Sequence, residues 1–139
     1  MKNLLFILTL VFPFLSNAQP PDAGDYVMTT WPDHATAHYV FKNKKVYFGF
    51  DPATKKSEFE NTGSSKSVKE LFSYTKVIDF SAMKGLDEKK LPAKEGVAPF
   101  RIIEVRKDGK VYRVCFEEYA EDEQSQKLAT IVSMLNNFW

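Results

Sequence analysis

The sequence contains one cysteine, Cys115, so no disulfide bond can form within the chain. Packing of apolar side chains must therefore stabilise the fold, although the N-terminus described below indicates an oxidising destination. Cys115 lies in an alternating apolar stretch without a neighbouring base, which predicts a small buried hydrophobe and not a reactive thiol. A disulfide bond to another molecule is the alternative role for this residue.

Histidine is almost as scarce, since His34 and His38 are the only two in the chain. Their H-x-x-x-H spacing would place two zinc ligands on one helical face, with Asp33 as a third ligand. The segment runs directly into a predicted strand, however, where residues four apart are separated by about 13 Å. Two histidines at that distance cannot share one metal ion, so we expect no metal and no other cofactor.

Arrangements that support catalysis are missing from the sequence. No serine stands in a G-x-S-x-G elbow, and a cysteine–histidine pair would require Cys115 to leave its strand. The acidic residues of the stretch 117–123 are explained by a strand end and a helix start, where negative charge favours the helix dipole. Phosphate-binding, dinucleotide-binding and calcium-binding loops are not found either. We therefore expect a protein that is not an enzyme, with a metal-dependent hydrolase using His34 and His38 as an alternative.

Neither sign of charge dominates, since 19 Lys and Arg residues stand against 18 Asp and Glu residues. This balance argues against general nucleic-acid binding, which requires an excess of cations. The lysines nevertheless concentrate between Ala37 and Lys76, where eight lysines and four acids give a net charge of +4. Lysines at a sheet edge that discourage edge-to-edge pairing are the simpler explanation, and a surface for an acidic protein partner is the other.

Long apolar stretches are also few. The stretch Leu4–Leu15 contains Pro13 and has 12 residues, whereas a membrane-spanning helix needs about 20. Lys2 before it and Ser16-Asn17-Ala18 after it complete the pattern of a secretory signal peptide. We predict a signal peptide over residues 1–18, cleavage near Ala18, and an exported protein, periplasmic or extracellular, without a stable membrane anchor.

About 120 residues follow the predicted cleavage site, which is the usual size of one domain. Residues 19–36 contain prolines and acids and are predicted to form an exposed, extended leader. Residues 37–139 are predicted to form a single α+β domain. Its antiparallel sheet is built on two hairpins and is packed by a C-terminal amphipathic helix and a short middle helix.

The stretch from Arg101 to Glu118 has the clearest pattern. Asp108-Gly109 suits a two-residue type I′ turn between two alternating strands. The resulting register pairs Val105 with Tyr112, Ile103 with Val114, Arg101 with Phe116, Ile102 with Cys115 and Glu104 with Arg113. One face of this hairpin is therefore apolar and the other is mixed.

A second hairpin is predicted over residues 37–50, with Asn43-Lys44 as its two-residue turn. This register pairs Phe41 with Val46, Tyr39 with Phe48 and Ala37 with Phe50, and it places Val40 and Tyr47 on the opposite face. An exposed aromatic and aliphatic patch on a face left uncovered would mark an interface. The candidate partner-binding residues are Tyr47, Val40, Glu104, Arg113, Lys44 and Lys45.

Two helices are predicted from apolar spacing. The sequence from Ser67 to Glu70 has the form of a capping box, so we expect the middle helix to begin there. Its apolar stripe consists of Val68, Leu71, Phe72 and Thr75. The C-terminal helix begins at the acidic residues 121–123 and carries the stripe Leu128, Ile131, Val132, Leu135 and Phe138.

The order of elements from about residue 37 onward is set by four stretches, which are KVYFGF, KELFSY, APFRIIEVRKDGKVYRV and LATIVSMLNNF. This order resembles that of the emfourin-type protein inhibitors of thermolysin-like metalloproteases. The resemblance implies paired strands, a short helix, a charged loop, a glycine-turn hairpin and a Leu-rich terminal helix in an inhibitor. No inhibitory residue can be mapped onto this chain.

The function predicted from the sequence is therefore a small exported binding protein. It acts on an extracytoplasmic protein partner, as an inhibitor or an immunity-type protein. The same element order suits a cystatin-like module or an unrelated exported binding protein, and a small-ligand carrier that uses the gap between sheet and helix is a further alternative.

Overall fold

The computed structural model of the chain describes residues 19–92 and 99–139. The predicted signal peptide, residues 1–18, and residues 93–98 lie outside the described residues. Neither helix of the described ranges combines the length and the apolar character that crossing a membrane requires.

An antiparallel sheet of six strands and two helices make up the fold, which confirms the predicted α+β class. The strands are β1 (Tyr26–Thr30), β2 (Ala37–Phe41), β3 (Lys45–Phe50), β4 (Phe59–Thr62), β5 (Phe100–Lys107) and β6 (Lys110–Glu117), and the helices are α1 (Ser65–Lys76) and α2 (Glu123–Leu135). Short 3-10 turns occupy Phe80–Ala82, Glu88–Lys90 and Asn136–Phe138. The strand order across the sheet is β4-β3-β2-β1-β5-β6.

β1 lies inside the sheet, and all five of its residues are buried. It pairs with both hairpins, since Val27 lies opposite Val40 on β2 and opposite Val105 on β5. The prediction of an exposed leader over residues 19–36 is therefore wrong for Tyr26–Thr30. The prolines and acids that suggested a leader occur before this stretch, whereas YVMTT itself is rich in residues that favour strands.

β5 and β6 form the predicted hairpin in the predicted register. Asp108 and Gly109 have φ angles of +52° and +80°, and a type I′ turn requires positive values at both positions. Ile103 lies opposite Val114, and Glu104 lies opposite Arg113. The apolar face of this hairpin packs in the hydrophobic core between the sheet and the helices, as expected.

β2 and β3 also form a hairpin, but the predicted register is wrong by one residue near the turn. Val40 pairs with Val46, and Tyr39 pairs with Tyr47. The loop has three residues, and Lys44 takes a φ of +76° while its N–H donates to the carbonyl of Phe41 at 2.9 Å. Glycine is the usual residue at that position, so the sequence carried no signal for this loop.

A bulge in β3 brings the hairpin back to part of the predicted pairing. The register shifts between Tyr39 and Ala37, so that Ala37 lies opposite Phe50 as predicted. The extra residue falls at Phe48-Gly49, and Gly49 has a φ of +63°. This bulge places the backbone N–H of Gly49 against the ring of His38, described below.

The main core lies between the sheet and both helices. From the sheet it takes Val27, Val40, Val46, Ile103, Val105, Val114 and Phe116, and from the helices Val68, Leu71, Leu128, Ile131, Val132 and Leu135. The predicted stripe of the C-terminal helix is therefore confirmed, including the buried Phe138 beyond its end.

The helix starts follow their side-chain caps. α1 begins at Ser65, because Ser64 is its N-cap and accepts a hydrogen bond from the N–H of Ser67 at 3.1 Å. The predicted capping box at Ser67 is therefore wrong, since an earlier serine takes this role and extends the helix. Asp122 caps α2 and accepts from the N–H of Ser125 at 2.9 Å, within the predicted acidic start.

We expect the change Leu128→Ala to lower the free energy of unfolding by about 2–5 kcal/mol, because Leu128 is fully buried in the main core. Val111→Ala is the control, since Val111 is 54% exposed, and it should change stability by no more than about 0.5 kcal/mol. Urea unfolding of both variants measures the difference. Equal effects would contradict this assignment of the core.

Candidate functional site

The six candidate partner-binding residues do not form one surface. Val40 is completely buried in the main core beneath the helices, so it cannot contact a partner. The prediction is wrong for this residue because Val40 lies in one row with Val27 and Val105, on the face of the sheet that packs on the helices. Lys45 is exposed at the start of β3 and lies opposite Thr62 of the edge strand β4.

Tyr47 lies on the opposite face of the sheet, in an aromatic cluster. The cluster consists of Tyr26, Met28, Tyr39, Phe41, Tyr47 and Phe50. Its rings make edge-to-face and stacked contacts, such as Phe41 and Tyr47 with centroids 5.7 Å apart. All six side chains are less than a tenth exposed, so Tyr47 presents little surface to a partner. Burial raises the pKa of Tyr39 to about 12.

Glu104 and Arg113 are brought together as predicted, and they are engaged in a network. Arg113 donates to Glu104 at 3.0 Å and to both carboxylate oxygens of Glu88 at 2.9 and 3.0 Å. Tyr26 donates its hydroxyl hydrogen to Glu104 at 2.6 Å. The hydrogen bonds from Arg113 hold the pKa of Glu88 below its usual range. This network ties the turn at Glu88–Lys90 to the sheet, which is a structural role.

His38 is buried and surrounded by aromatic rings. Phe48 stacks on it at 4.1 Å, while Trp139 and Trp31 lie at 5.1 and 5.8 Å between centroids. Its Nδ1 accepts a hydrogen bond from the backbone N–H of Gly49 at 2.8 Å. Burial, and then the nearby charges of Arg101 and His34, lower the pKa of His38 to about 4. The ring is therefore neutral at pH 7, with its proton on Nε2.

His34 is exposed and lies in the turn between β1 and β2, 5.2 Å from the ring of Trp31. The chain bends at Ala35, between the two histidines, so it is not fully extended from His34 to His38 as the sequence had suggested. The Nδ1 of His38 already accepts a backbone hydrogen bond. Among residues 19–92 and 99–139, no group of three or more His, Cys, Asp and Glu residues is placed to hold a metal ion.

Cys115 is buried among apolar neighbours. It is 3% exposed and packs with Phe100, Ile102 and Leu91. Burial raises the pKa of its thiol, which disfavours the reactive thiolate. This environment agrees with the predicted structural role.

A groove that the sequence had not indicated runs along α1, beside the tips of both hairpins. It consists of two adjoining hollows of about 270 and 390 Å³, which share Lys42, Phe72 and Lys76. We call it the lysine groove and define it by Lys42, Lys44, Lys69, Phe72, Lys76 and Lys107. Phe72 is half-buried and packs against the main core, so the groove has an apolar floor.

Local structure explains why the lysines converge. Lys69, Ser73 and Lys76 lie at positions i, i+4 and i+7 of α1 and so line one side of the helix. Lys42 and Lys44 belong to the loop of the β2–β3 hairpin. Lys107, at the end of β5, donates to the carbonyls of Thr75 and Lys76 at 3.4 and 3.1 Å, which satisfies groups at the C-terminus of α1.

The charge of the groove is poorly balanced by acids. Lys42, Lys44, Lys69 and Lys76 are exposed, and within the described ranges none of them forms an ion pair with a carboxylate. The ammonium group of Lys44 donates to the hydroxyl of Ser65, at 3.4 Å. Two acids, Asp25 and Asp108, line one end of the groove. The arrangement is suited to binding anionic groups, and of the six candidate residues it contains Lys44.

Comparisons of the chain with family models, with curated proteins and with solved structures found no match.

We expect His38 to make stability depend on pH. Its pKa is about 4 in the folded chain, whereas an unperturbed histidine, as in the unfolded chain, has a pKa of 6.5. Between these two pH values the unfolded chain therefore binds more protons than the folded chain. The contribution of neutral His38 to the free energy of unfolding is fully present above pH 6.5 and falls as the pH decreases toward 4. The total change is up to about 3 kcal/mol.

Urea unfolding between about pH 7 and pH 4 measures this effect. The variant His38→Asn keeps an acceptor near Gly49 but does not titrate, so its stability should vary less with pH than that of the wild type. His34→Asn is the matched control. It removes only the smallest of the three causes of the low pKa of His38, so it should retain most of the wild-type dependence. A His38→Asn variant with an unchanged pH dependence would contradict the role given to His38.

Proposed function

We propose that this chain is a small exported, non-enzymatic protein that binds an extracytoplasmic protein partner as an inhibitor or immunity-type protein. The observation that supports this proposal is the lysine groove. Four exposed lysines without carboxylate partners in the described part of the chain surround a half-buried phenylalanine.

The charges favour a partner with an acidic surface. Like charges placed close together repel one another, whereas a complementary surface relieves that repulsion and accelerates association. The formal net charge of the whole chain is only +1, so the positive potential is local to the groove. A local patch with an aromatic floor is typical of recognition between proteins.

The open form of the groove, and not its volume, favours this function over a small-ligand carrier. Carrier pockets have volumes of roughly 300–1,000 Å³ and enclose most of the ligand. The two hollows have volumes of about 270 and 390 Å³, and exposed lysines stand around a partly buried floor. A small molecule in either hollow would stay open to water. The hollows suit individual side chains of a partner better than an enclosed small molecule.

The element order, which resembles that of emfourin-type inhibitors, makes secreted hydrolases the first partners to test. No residue of this chain is assigned an inhibitory contact by that resemblance. The lysine groove supplies a surface on which the test can be designed.

The experiment uses the purified exported protein as bait, to capture a partner from the periplasm and the culture medium of its source. The captured protein is then tested in hydrolase assays. The groove variant Lys42→Glu/Lys69→Glu/Lys76→Glu should lose the partner that the wild type retains, because attraction becomes repulsion. The wild type should also change the activity of a captured hydrolase.

The control variant Lys56→Glu/Lys89→Glu/Lys90→Glu introduces the same change in net charge at exposed lysines away from the groove. It should retain the partner. Equal retention by the groove and control variants, or no specific partner for the wild type, would refute the proposal.

A further inference from the structure

From the lysine groove we infer the chemistry of the partner segment: an extended acidic stretch of polypeptide whose apolar side chain packs on Phe72 between two carboxylates. This inference rests on the proposed function, because it specifies what that partner places in the groove. The arrangement of Phe72 and the lysines carries it.

Phe72 is the centre of the groove. It contributes to both hollows, next to Val68 in one and next to Val105 in the other. Both valines are buried in the main core, so the floor is continuous with the core and is rigidly supported. Aromatic residues surrounded by polar groups are the usual anchors of protein interfaces.

The spacing of the lysines sets the spacing of the acids. Lys69 and Lys76 are seven residues apart on α1, which separates them by about 10.5 Å along the helix axis. In an extended chain, residues i, i+2 and i+4 point to one face, and the outer two are about 13 Å apart. The flexible lysine side chains accommodate the difference. Two acids at i and i+4 therefore reach Lys69 and Lys76 when an apolar residue at i+2 lies over Phe72.

Lys42 provides the other wall of the groove. It lines both hollows from the loop of the β2–β3 hairpin, opposite the lysines of α1. Its backbone N–H donates to the carbonyl of Asp25 at 3.0 Å, which fixes the loop beside β1. A segment that lies over Phe72 is therefore within reach of cations on both sides.

The acids at one end of the groove favour a polypeptide over a polyphosphate chain. Asp25 and Asp108 line the hollow that also contains Lys107. A nucleic-acid strand carries a negative charge at every nucleotide, so it would meet repulsion where it passes these acids. A polypeptide with two acids can place neutral residues there.

The test uses a fluorescein-labelled peptide with the central sequence Glu-Ser-Phe-Ser-Glu, and fluorescence anisotropy with the purified exported protein. Three control peptides replace both glutamates by Gln, replace Phe by Ala, or rearrange the residues as Glu-Glu-Ser-Ser-Phe. Each control should bind at least about tenfold more weakly than the first peptide. Raising the salt to about 1 M should also weaken binding, since the Debye length falls to about 3 Å.

Variants of the protein show where the peptide binds. Lys42→Glu and Lys69→Glu change exposed residues and should each weaken binding about tenfold, whereas Lys56→Glu should not. Phe72→Ala should abolish the preference for the Phe peptide over the Ala peptide. Phe72→Leu retains an apolar floor and should keep that preference, which separates loss of the anchor from loss of the fold.

Several outcomes would overturn the inference. They are equal binding of the acidic and Gln peptides, no effect of Lys42→Glu, and tighter binding of inorganic polyphosphate, an oligothymidylate or vesicles with anionic lipid. If affinity capture still gives a partner that depends on the groove, the proposed function stands and only the inferred segment chemistry fails. If the captured partner is also independent of the groove, both fail.

Discussion

β1 joins the two hairpins into one sheet, since its residues pair with β2 on one side and with β5 on the other. A two-stranded hairpin is marginally stable alone, whereas three or more strands with an apolar face can support a core. Val27 illustrates the result, because it lies between Val40 and Val105 in one row of the sheet and is fully buried under the helices. The continuous apolar floor on which α1 and α2 pack depends on this pairing.

The same pairing determines where the lysine groove lies. Because β1 is antiparallel to both neighbours, the loop that contains Lys42 and the turn that follows Lys107 are held at one end of the sheet. α1 crosses that end and is fastened there by the hydrogen bonds from Lys107 to its last carbonyls. The groove is therefore assembled from three segments that are distant in the chain, and each contributes one or two cations.

Local signals in the sequence were sufficient for the parts of the fold that are stabilised locally. Asp108-Gly109 defines its turn through backbone geometry alone, and the register of β5 and β6 follows from it. Leu128 and the other apolar residues of α2 show the helical period directly. In contrast, Lys44 occupies a backbone conformation that favours glycine. β1 contains strand-favouring residues, but its burial between two neighbouring strands follows only from the tertiary pairing.

The candidate site was predictable only in part for the same reason. The excess of lysine between Ala37 and Lys76 is visible in the sequence, but a count does not reveal which lysines share a surface. Lys44 and Lys45 are adjacent, yet only Lys44 lines the groove. Phe72 was assigned to the apolar stripe of α1, and it does pack on the core. Its outer part also forms the floor of the groove, because the lysines on either side are held apart by the helix and the hairpin loop. One residue can therefore serve the core and the surface, and only the assembled structure distinguishes the two roles.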